Sequence, residues 1–297
     1  MSKIEISNIM QTCANCGKGD EGSNTLKSCV ACKMVKYCNR DCQIAHRPQH
    51  KKECKKRAAE LHDEVLFKDP PPPIDCPICF LPMPDDSQSA FMTCCGKRIC
   101  VGCIDTMEDH DLEELCAFCR TPRPESDEED LLRIKKLMKA GNGEAFHMLA
   151  GAYALGDFGL PRDRSKTNEL LLKAGELGCA ASYHNLGIAY VTGRGVERNL
   201  KKGIHYHELA AINGDYEARN NLGSMEMREG NYERAYKHYI IAAKCGLKIS
   251  LDAVSDGYKK GFVTKDDYTA VLRAYQKSRD EMKSEARDNA SSLQQER

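Results

Sequence analysis

The chain has 297 residues, with 44 Lys and Arg against 44 Asp and Glu, seventeen cysteines and no tryptophan. No apolar run approaches the roughly 18 residues of a membrane span, and the N-terminal residues lack the apolar core of a signal peptide, so we expect neither a membrane partner nor secretion. We therefore expect a protein of the cytoplasm, the nucleus or both, where clustered cysteines bind metal more often than they form disulfides.

Fifteen of the seventeen cysteines lie between Cys13 and Cys119, so metal chemistry is predicted for the first part of the chain only. Thiolates bound to zinc would leave the zinc-loaded chain with a net negative charge. That charge argues against a general affinity for nucleic acid.

After an N-terminal tail (1–12), residues 13–54 contain two Cys-x-x-Cys pairs, one Cys-x-x-x-Cys pair and one His-x-x-x-Cys pair. The candidate zinc ligands are Cys13, Cys16, Cys29, Cys32, Cys38, Cys42, His50 and Cys54. Residues four apart share one face of a helix, and eight ligands suffice for two tetrahedral ions. So short a segment has little apolar core, so metal must supply much of its folding free energy.

His46 competes with His50 for the histidine position. Pro48 suits the first turn of a second helix, which would place His50 and Cys54 together on that helix. We therefore assign His50 as the ligand and interpret His46 as a surface residue.

The stretch "YCNRDCQIAHRPQHKKEC" resembles a MYND zinc finger. The resemblance implies interleaved ligation, with Cys13, Cys16, Cys38 and Cys42 on one zinc ion and Cys29, Cys32, His50 and Cys54 on the other. MYND fingers that bind proline-rich peptides use a glutamine and, four residues later, a tryptophan. Gln43 matches and is a candidate partner-binding residue, whereas Arg47 stands in the tryptophan position and offers no ring on which a proline can stack.

Residues 55–74 are predicted to form a linker helix and a polyproline spacer, Pro70–Pro73. A proline-reading module could bind this segment, but its composition favours a stiff spacer. The basic residues around Cys54 could contact phosphates, but a solvated helix face is the favoured interpretation.

A second cluster, in residues 75–124, supplies eight thiolates in four pairs. Its candidate zinc ligands are Cys76, Cys79, Cys94, Cys95, Cys100, Cys103, Cys116 and Cys119. The segments "CPIC", "ICVGC" and "CAFCRTP" resemble a RING finger with all-cysteine ligation. The resemblance implies a cross-brace, in which the first and third pairs hold one ion and the second and fourth pairs hold the other.

One position departs from the usual RING pattern: Lys97 stands where a histidine is expected. An extra cysteine, Cys94 or Cys95, replaces that histidine one position early. Adjacent cysteines can bind one ion only around a bent backbone, and His110 is the alternative ligand.

The RING resemblance also implies docking of a ubiquitin-conjugating enzyme, through an apolar residue between the first two ligands and a basic residue after the last. Ile78 and Arg120 occupy these positions. However, the chain has no tryptophan for the docking groove, and Ala117 replaces the usual proline. Ubiquitin-ligase activity is therefore an alternative, in which catalysis would consist of positioning the conjugating enzyme and the ubiquitin that it carries.

Residues 125–143 are predicted to form an acidic linker and a helix, with Ser126 and Glu129 as a capping box. Residues 144–276 repeat with a period near 36: Leu149 aligns with Leu186, and Leu186 with Leu222. Such a period predicts a helix–turn–helix solenoid. The pattern resembles Sel-one-like repeats, which implies a superhelical adaptor surface without catalysis.

Within these repeats, Leu186, Tyr190, Leu222 and Ala242 are interpreted as core residues, and Cys179 and Cys245 as structural thiols. The polar C-terminal tail (277–297) is expected to fray. No segment resembles the methyl-donor motifs of the lysine methyltransferases that carry a MYND insert.

The predicted fold class is mostly α: two small N-terminal zinc-stabilised cross-brace modules followed by an α/α helical-repeat solenoid. The cofactor is zinc, about four ions per chain. The predicted function is an adaptor or scaffold whose repeats hold one protein while the fingers recruit another. The alternative is a RING-type ubiquitin ligase, partnered with a ubiquitin-conjugating enzyme, whose repeats select the substrate.

Overall fold

The computed structural model describes residues 12–19, 25–84, 88–108 and 114–296. The chain divides into two compact units, Met1–Lys68 and Asp69–Arg297. Two short antiparallel sheets and twelve helices form the described part, which confirms the predicted mostly α class. None of the helices within the described ranges combines the length and apolar character needed to cross a membrane.

The first unit combines a short hairpin with one long helix. Strand β1 (Lys27–Ser28) pairs with β2 (Lys36–Tyr37), and helix α1 (Arg40–Leu66) follows. The side chain of Asn39 accepts a hydrogen bond from the Cys42 amide and caps the helix. The predicted break at Pro48 is wrong, because Pro48 lies inside this continuous helix. Proline removes only one helical hydrogen bond, and ligand residues on both sides of Pro48 are held in the same module.

The second unit begins with the second cysteine-rich module. Strands β3 (Ser89–Met92) and β4 (Lys97–Cys100) form a hairpin that leads directly into α2 (Val101–Glu108). A small core of Ile99 and cysteines lies beneath them. The Arg98 guanidinium lies 2.7 Å from the Glu144 carboxylate, which joins this module to the helical repeats.

Ten helices follow the second module. They are α3 (Asp127–Lys139), α4 (Gly143–Leu155), α5 (Arg164–Glu176), α6 (Ala180–Thr192), α7 (Leu200–Ile212), α8 (Tyr216–Arg228), α9 (Tyr232–Lys244), α10 (Lys248–Lys259), α11 (Lys265–Glu281) and α12 (Glu285–Glu296). From α4 to α9 every helix has thirteen residues, and consecutive helices pack on one another. The predicted solenoid is thereby confirmed.

The start of α3 follows the predicted capping pattern with one change. The Ser126 hydroxyl accepts a hydrogen bond from the Glu129 amide at 3.2 Å. The Glu129 carboxylate accepts from the amide of Glu125 rather than from that of Ser126. Both bonds satisfy amides that have no partner within the helix.

The repeat core is built from the residues that the period predicts. Leu186, Leu222 and Ala242 are buried, and Tyr190 packs partly buried beside them. Cys179 is buried as expected, whereas Cys245 is half-buried. The core also depends on glycines inside helices: a Cβ at Gly187 would lie only 2.8 Å from the ring of His207. Glycine at this position therefore allows α6 and α7 to pack closely.

Two buried imidazoles in the repeats predict an acid-sensitive stability. Burial, followed by the neighbouring His184, lowers the pKa of His207 to about 4. His184 lies 3.1 Å from the Asp215 carboxylate, which raises the pKa of His184 although burial acts to lower it. Because unfolded histidine titrates near 6.5, the unfolded chain takes up a proton that folded His207 does not as pH falls from about 6.5 to 4. Stability falls in that window, whereas the His184 contribution is fully present below about 6.5 and is lost only as pH rises through its folded pKa.

Between pH 6.5 and 5 the protein should therefore lose about 1.5 kcal/mol more unfolding free energy than His207→Gln. Urea unfolding of both proteins at the two pH values measures this difference. The zinc thiolates are identical in the two proteins, so their own acid sensitivity cancels. Equal losses would contradict the prediction.

The C-terminal residues form a docked helix. Helix α12 packs against α2 of the second cysteine-rich module, and its Arg287 and Ala290 are buried. The expectation of a fraying tail is therefore wrong for the described residues of this segment. The helix is polar in sequence, but its contact uses a small residue and a guanidinium that donates to carbonyl groups, and a hydropathy pattern detects neither.

Candidate metal centres

The structure brings the sixteen predicted ligand residues into four groups. Within each group the ligand atoms all lie within 4.8 Å of one another. The groups are Cys13, Cys16, Cys38 and Cys42; Cys29, Cys32, His50 and Cys54; Cys76, Cys79, Cys100 and Cys103; and Cys94, Cys95, Cys116 and Cys119. In both modules the ligand pairs interleave along the chain.

Four of the ligand pairs sit on the same type of turn. In each of these four Cys-x-x-Cys turns, the residue after the second cysteine has a positive φ between 56° and 72° and donates its amide hydrogen to the carbonyl of the first cysteine at 2.9 Å. These residues are Gly17, Lys33, Phe80 and Arg120. Left-handed backbone costs about 1–2 kcal/mol for a residue with a side chain, so Lys33, Phe80 and Arg120 are held there by the surrounding turn.

The donor sets fit zinc. Tetrahedral zinc with Zn–S bonds near 2.3 Å places its sulfur ligands about 3.8 Å apart. The Sγ–Sγ distance is 3.6 Å for Cys16 and Cys38, 3.9 Å for Cys76 and Cys103, and 4.0 Å for Cys95 and Cys116. One Cys₃His set and three Cys₄ sets are the ligand combinations of structural zinc sites. The chain therefore has places for about four zinc ions.

Backbone amides at the turns favour thiolates. Although burial acts to raise it, amide donors of Cys16, Cys38 and Asn15 lower the pKa of Cys13 to about 6. Against the same effect of burial, the Cys32 amide and the His50 ring lower the pKa of Cys29 to about 6. A metal ligand must be deprotonated, so the turns at Cys13 and Cys29 prepare these two thiols for an ion.

His46 supports the predicted histidine ligand. The His50 Nε2 lies 3.2 Å from Cys32 Sγ, within the ligand group. The His46 ring stacks on the His50 ring at 5.5 Å, and its Nδ1 lies 3.0 Å from the Tyr37 hydroxyl. His46 is thus half-buried behind the site rather than a free surface residue, a role that ligand spacing alone did not indicate.

The adjacent cysteines meet one site because they occupy a hairpin turn. Cys94 and Cys95 lie between β3 and β4, where the amides of Cys95 and Gly96 both donate to the carbonyl of Met92. Gly96 has a φ of 68°, and a Cβ there would lie 2.6 Å from the Asn142 side chain, so glycine suits this turn on both counts. The alternative ligand His110 lies outside the described residues.

One residue near the metal centres was not predicted from the sequence: Arg287 of α12. Its guanidinium donates to the Cys79 sulfur at 3.3 Å and to the carbonyls of Leu81 and Pro82 at 3.3 and 2.8 Å. A Cβ at Gly102 in α2 would lie 2.7 Å from the Arg287 amide, so the two helices are in close contact. Donors to ligand sulfurs orient metal ligands, and no motif signals them when they lie 208 residues away in sequence.

Replacing Arg287 by alanine should weaken zinc retention at the site that contains Cys79 by about 10- to 100-fold. The measurement is the rate and amount of zinc release to a chromogenic chelator, with about one ion in four affected. Zinc release from Arg287→Lys should be intermediate between that of the unsubstituted protein and that of Arg287→Ala, because lysine keeps the charge but not the planar guanidinium fork. Asn289→Ala, at an exposed position of the same helix, is the control, and equal release from both alanine variants would refute the role.

The three candidate partner-binding residues lie at different places. Gln43 and Arg47 are exposed on the first two turns of α1. Ile78 is half-buried within its zinc turn, and Arg120 is exposed after the last ligand. These positions leave Gln43 and Arg120 accessible to a partner.

Comparison with known families identifies two of the modules. The family model described as MYND finger matches residues 13–54, and the model described as Sel1 repeat matches residues 144–179, 180–215 and 217–247. The chain contains a MYND finger and three Sel1 repeats. The MYND finger thus covers the first two metal centres, and the Sel1 repeats cover α4 to α9.

Two curated relatives resemble parts of the chain. One is the ERAD-associated E3 ubiquitin-protein ligase component HRD3B of Arabidopsis thaliana, 33% identical over 120 residues, or 40% of this chain and 18% of the relative. The other is SET domain and MYND-type zinc finger protein 6 of Schizosaccharomyces pombe, 35% identical over 63 residues, or 21% of this chain and 12% of the relative. The chain thus spans less than a fifth of the length of either curated relative.

Among solved structures, a Sel1 repeat protein from Oxalobacter formigenes is 22% identical, with a TM-score of 0.45, and the match covers 62% of this chain and 74% of that one. The protective antigen c5321 of uropathogenic Escherichia coli, described as displaying an SLR fold, is 25% identical with a TM-score of 0.43. That match covers 52% of this chain and 33% of the antigen.

Proposed function

We propose that this zinc-binding interaction protein is an adaptor whose Sel1 repeats hold one protein partner while its zinc fingers recruit another. The observation that carries the proposal is the direct attachment of a zinc module to the repeats. The Arg98–Glu144 ion pair, the Asn142 contact to the Gly96 carbonyl and the α12 contact join them within one unit. A partner held by the repeats would therefore keep a defined position relative to the second zinc module.

Bridging of two partners tests the adaptor. Immobilised full-length protein would capture partners from cell extract, and cross-linking mass spectrometry would assign each to a module. Loss of one partner set in Cys29→Ser/Cys32→Ser, with retention of the set cross-linked to the repeats, is the expected result. Simultaneous loss or retention of every partner would contradict separate recruitment.

The second candidate function is ubiquitin ligation, favoured by apolar side chains that the RING-like module exposes at its zinc turns. Phe80 is 75% and Phe118 44% exposed, each beside a ligand cysteine, and Arg120 is exposed after the last ligand. Exposed aromatic groups beside a basic residue are suited to docking another protein. The similarity to an E3 ubiquitin-protein ligase component also supports a role for this protein in ubiquitin ligation.

An autoubiquitination assay with a panel of ubiquitin-conjugating enzymes tests this candidate. If it is right, Ile78→Ala and Arg120→Ala each abolish transfer while metal analysis still finds about four zinc ions per chain. Arg273→Ala, at an exposed position of α11, should leave transfer unchanged. Four zinc ions without transfer across the panel would leave the adaptor as the function.

A further inference from the structure

The first two Sel1 repeats enclose a groove of about 230 Å³. Each of three helices contributes residues of a single face, spaced three or four apart, so one face each of α4, α5 and α6 lines the groove. The lining residues are His147, Ala150, Gly151 and Ala154 of α4; Arg164, Thr167, Asn168 and Leu171 of α5; Asn185, Ile188 and Ala189 of α6; and Arg194 after α6.

Small side chains keep this groove open on the α4 side. Ala150, Gly151 and Ala154 occupy that wall, and a Cβ built at Gly151 meets no atom within 4 Å. In contrast, a Cβ at Gly187 of α6 would contact the His207 ring. Gly151 therefore faces open space, and helix packing does not explain its lack of a side chain.

The groove concentrates positive charge. Arg164 starts α5, and Arg194 lies in the loop after α6, where a Cβ at Gly195 would lie 2.5 Å from Arg164 Cβ. This close approach brings the two arginines to the same groove. Both are exposed, neither guanidinium has a hydrogen-bond or ion-pair partner within the described ranges, and no lining residue is acidic. Two cations that face one cleft repel each other, and a bound anion would offset that repulsion.

The remaining lining suits a peptide backbone. Asn185 is exposed on α6, and its amide offers two donors and an acceptor for an extended chain. The Asn168 amide donates to the Arg194 carbonyl at 2.9 Å and so fixes the loop that carries the second arginine. Ile188 is half-buried and adds apolar surface for a neighbouring side chain of the ligand.

The next groove along the solenoid does not repeat this chemistry. In the repeat alignment, Leu200 corresponds to Arg164, Ile204 to Asn168 and Gly230 to Arg194. The next groove therefore lacks both arginines and the fixing amide.

We propose that the groove between α4, α5 and α6 binds an extended peptide segment of the protein partner, with Arg164 and Arg194 clamping an acidic side chain of that segment. The proposal rests on the proposed adaptor function and names the chemistry that its repeats recognise. A guanidinium fork matches a carboxylate with two parallel hydrogen bonds, which gives direction as well as affinity.

Fluorescence anisotropy on the full-length zinc-loaded protein tests the groove. The probes are fluorescein-labelled, C-terminally amidated ten-residue peptides with zero to four glutamates in an alanine, serine and leucine background. We expect binding that strengthens with glutamate number, weakens with salt and is lost with glutamine in place of glutamate. Arg164→Gln/Arg194→Gln should weaken it at least tenfold, and Arg273→Gln should not.

Gly151→Leu is a second variant that does not depend on charge. Its side chain would fill open space and should abolish peptide binding without lowering the unfolding free energy. Binding that does not depend on glutamate number, or that is unchanged in both groove variants, would overturn the proposal. Binding only to peptides with a free C-terminal carboxylate would also overturn it, because it would identify a chain terminus as the ligand. If bridging of partners persists while the groove variants have no effect, the adaptor stands and the groove assignment fails.

Discussion

The Cys29→Ser/Cys32→Ser protein should lose one zinc ion and the folded structure of the MYND finger with it. Among the described residues of this module the buried ones are Cys13, Leu26, Cys29, Cys32 and Tyr37, so three of these five are ligands and two are ordinary core residues. Structural zinc contributes about 10–16 kcal/mol of binding free energy in modules of this kind, which is more than so small an apolar core can supply. Metal analysis should fall by at least one ion, because the second site of the same finger depends on the same folded structure, and limited proteolysis should cleave within residues 13–54.

The matched control is Cys245→Ser, because Cys245 belongs to none of the four ligand groups. That protein should retain all its zinc and its resistance to protease. A MYND finger that stays protease-resistant after losing this ion would contradict the prediction. Retention of the full zinc content by Cys29→Ser/Cys32→Ser would contradict the ligand assignment itself.

Gly223→Ala should destabilise the Sel1 repeats by about 1–3 kcal/mol, whereas Gly151→Ala should stabilise them by up to about 1 kcal/mol. Both residues lie inside helices, where alanine is intrinsically the better helix former. A Cβ at Gly223 would lie 2.7 Å from the ring of Tyr239, which is buried and hydrogen-bonded to Ser224. Packing therefore outweighs propensity at Gly223, while propensity acts alone at Gly151.

Urea unfolding followed by far-ultraviolet circular dichroism measures the unfolding free energy of both variants. The test is that the two substitutions change it in opposite directions. Destabilisation by both substitutions would show that α4 is packed where the structure leaves it open. Stabilisation by both would show that Tyr239 moves without cost, and that the close approach of α8 and α9 is not needed for stability.

Features that depend on short spacing along the chain could be predicted from local rules. Cysteines three or four residues apart must point to one ion or one helix face, and a period near 36 must produce similar helix pairs. These local rules predicted the zinc modules, the repeat core around Leu186 and Leu222, and the cap at Ser126. The local rules were wrong at Pro48. They consider the helical hydrogen bond that proline removes, but not the zinc-ligand residues that hold the helix in place on both sides of Pro48.

Features that depend on contacts between distant segments are visible only in the folded chain. The hairpin at Cys94 and Cys95 lets neighbouring cysteines face one site, and α12 returns to place Arg287 against Cys79. The two arginines of the groove come from different helix ends and line the same groove because Gly195 permits a close approach to Arg164. Each contact pairs polar or small residues, which leave no periodic pattern in sequence, and each forms only after the apolar stripes have packed the helices. Secondary structure and zinc ligands are therefore encoded locally, whereas the helix that supports a zinc site and the groove that we propose as a peptide site follow from the packed fold.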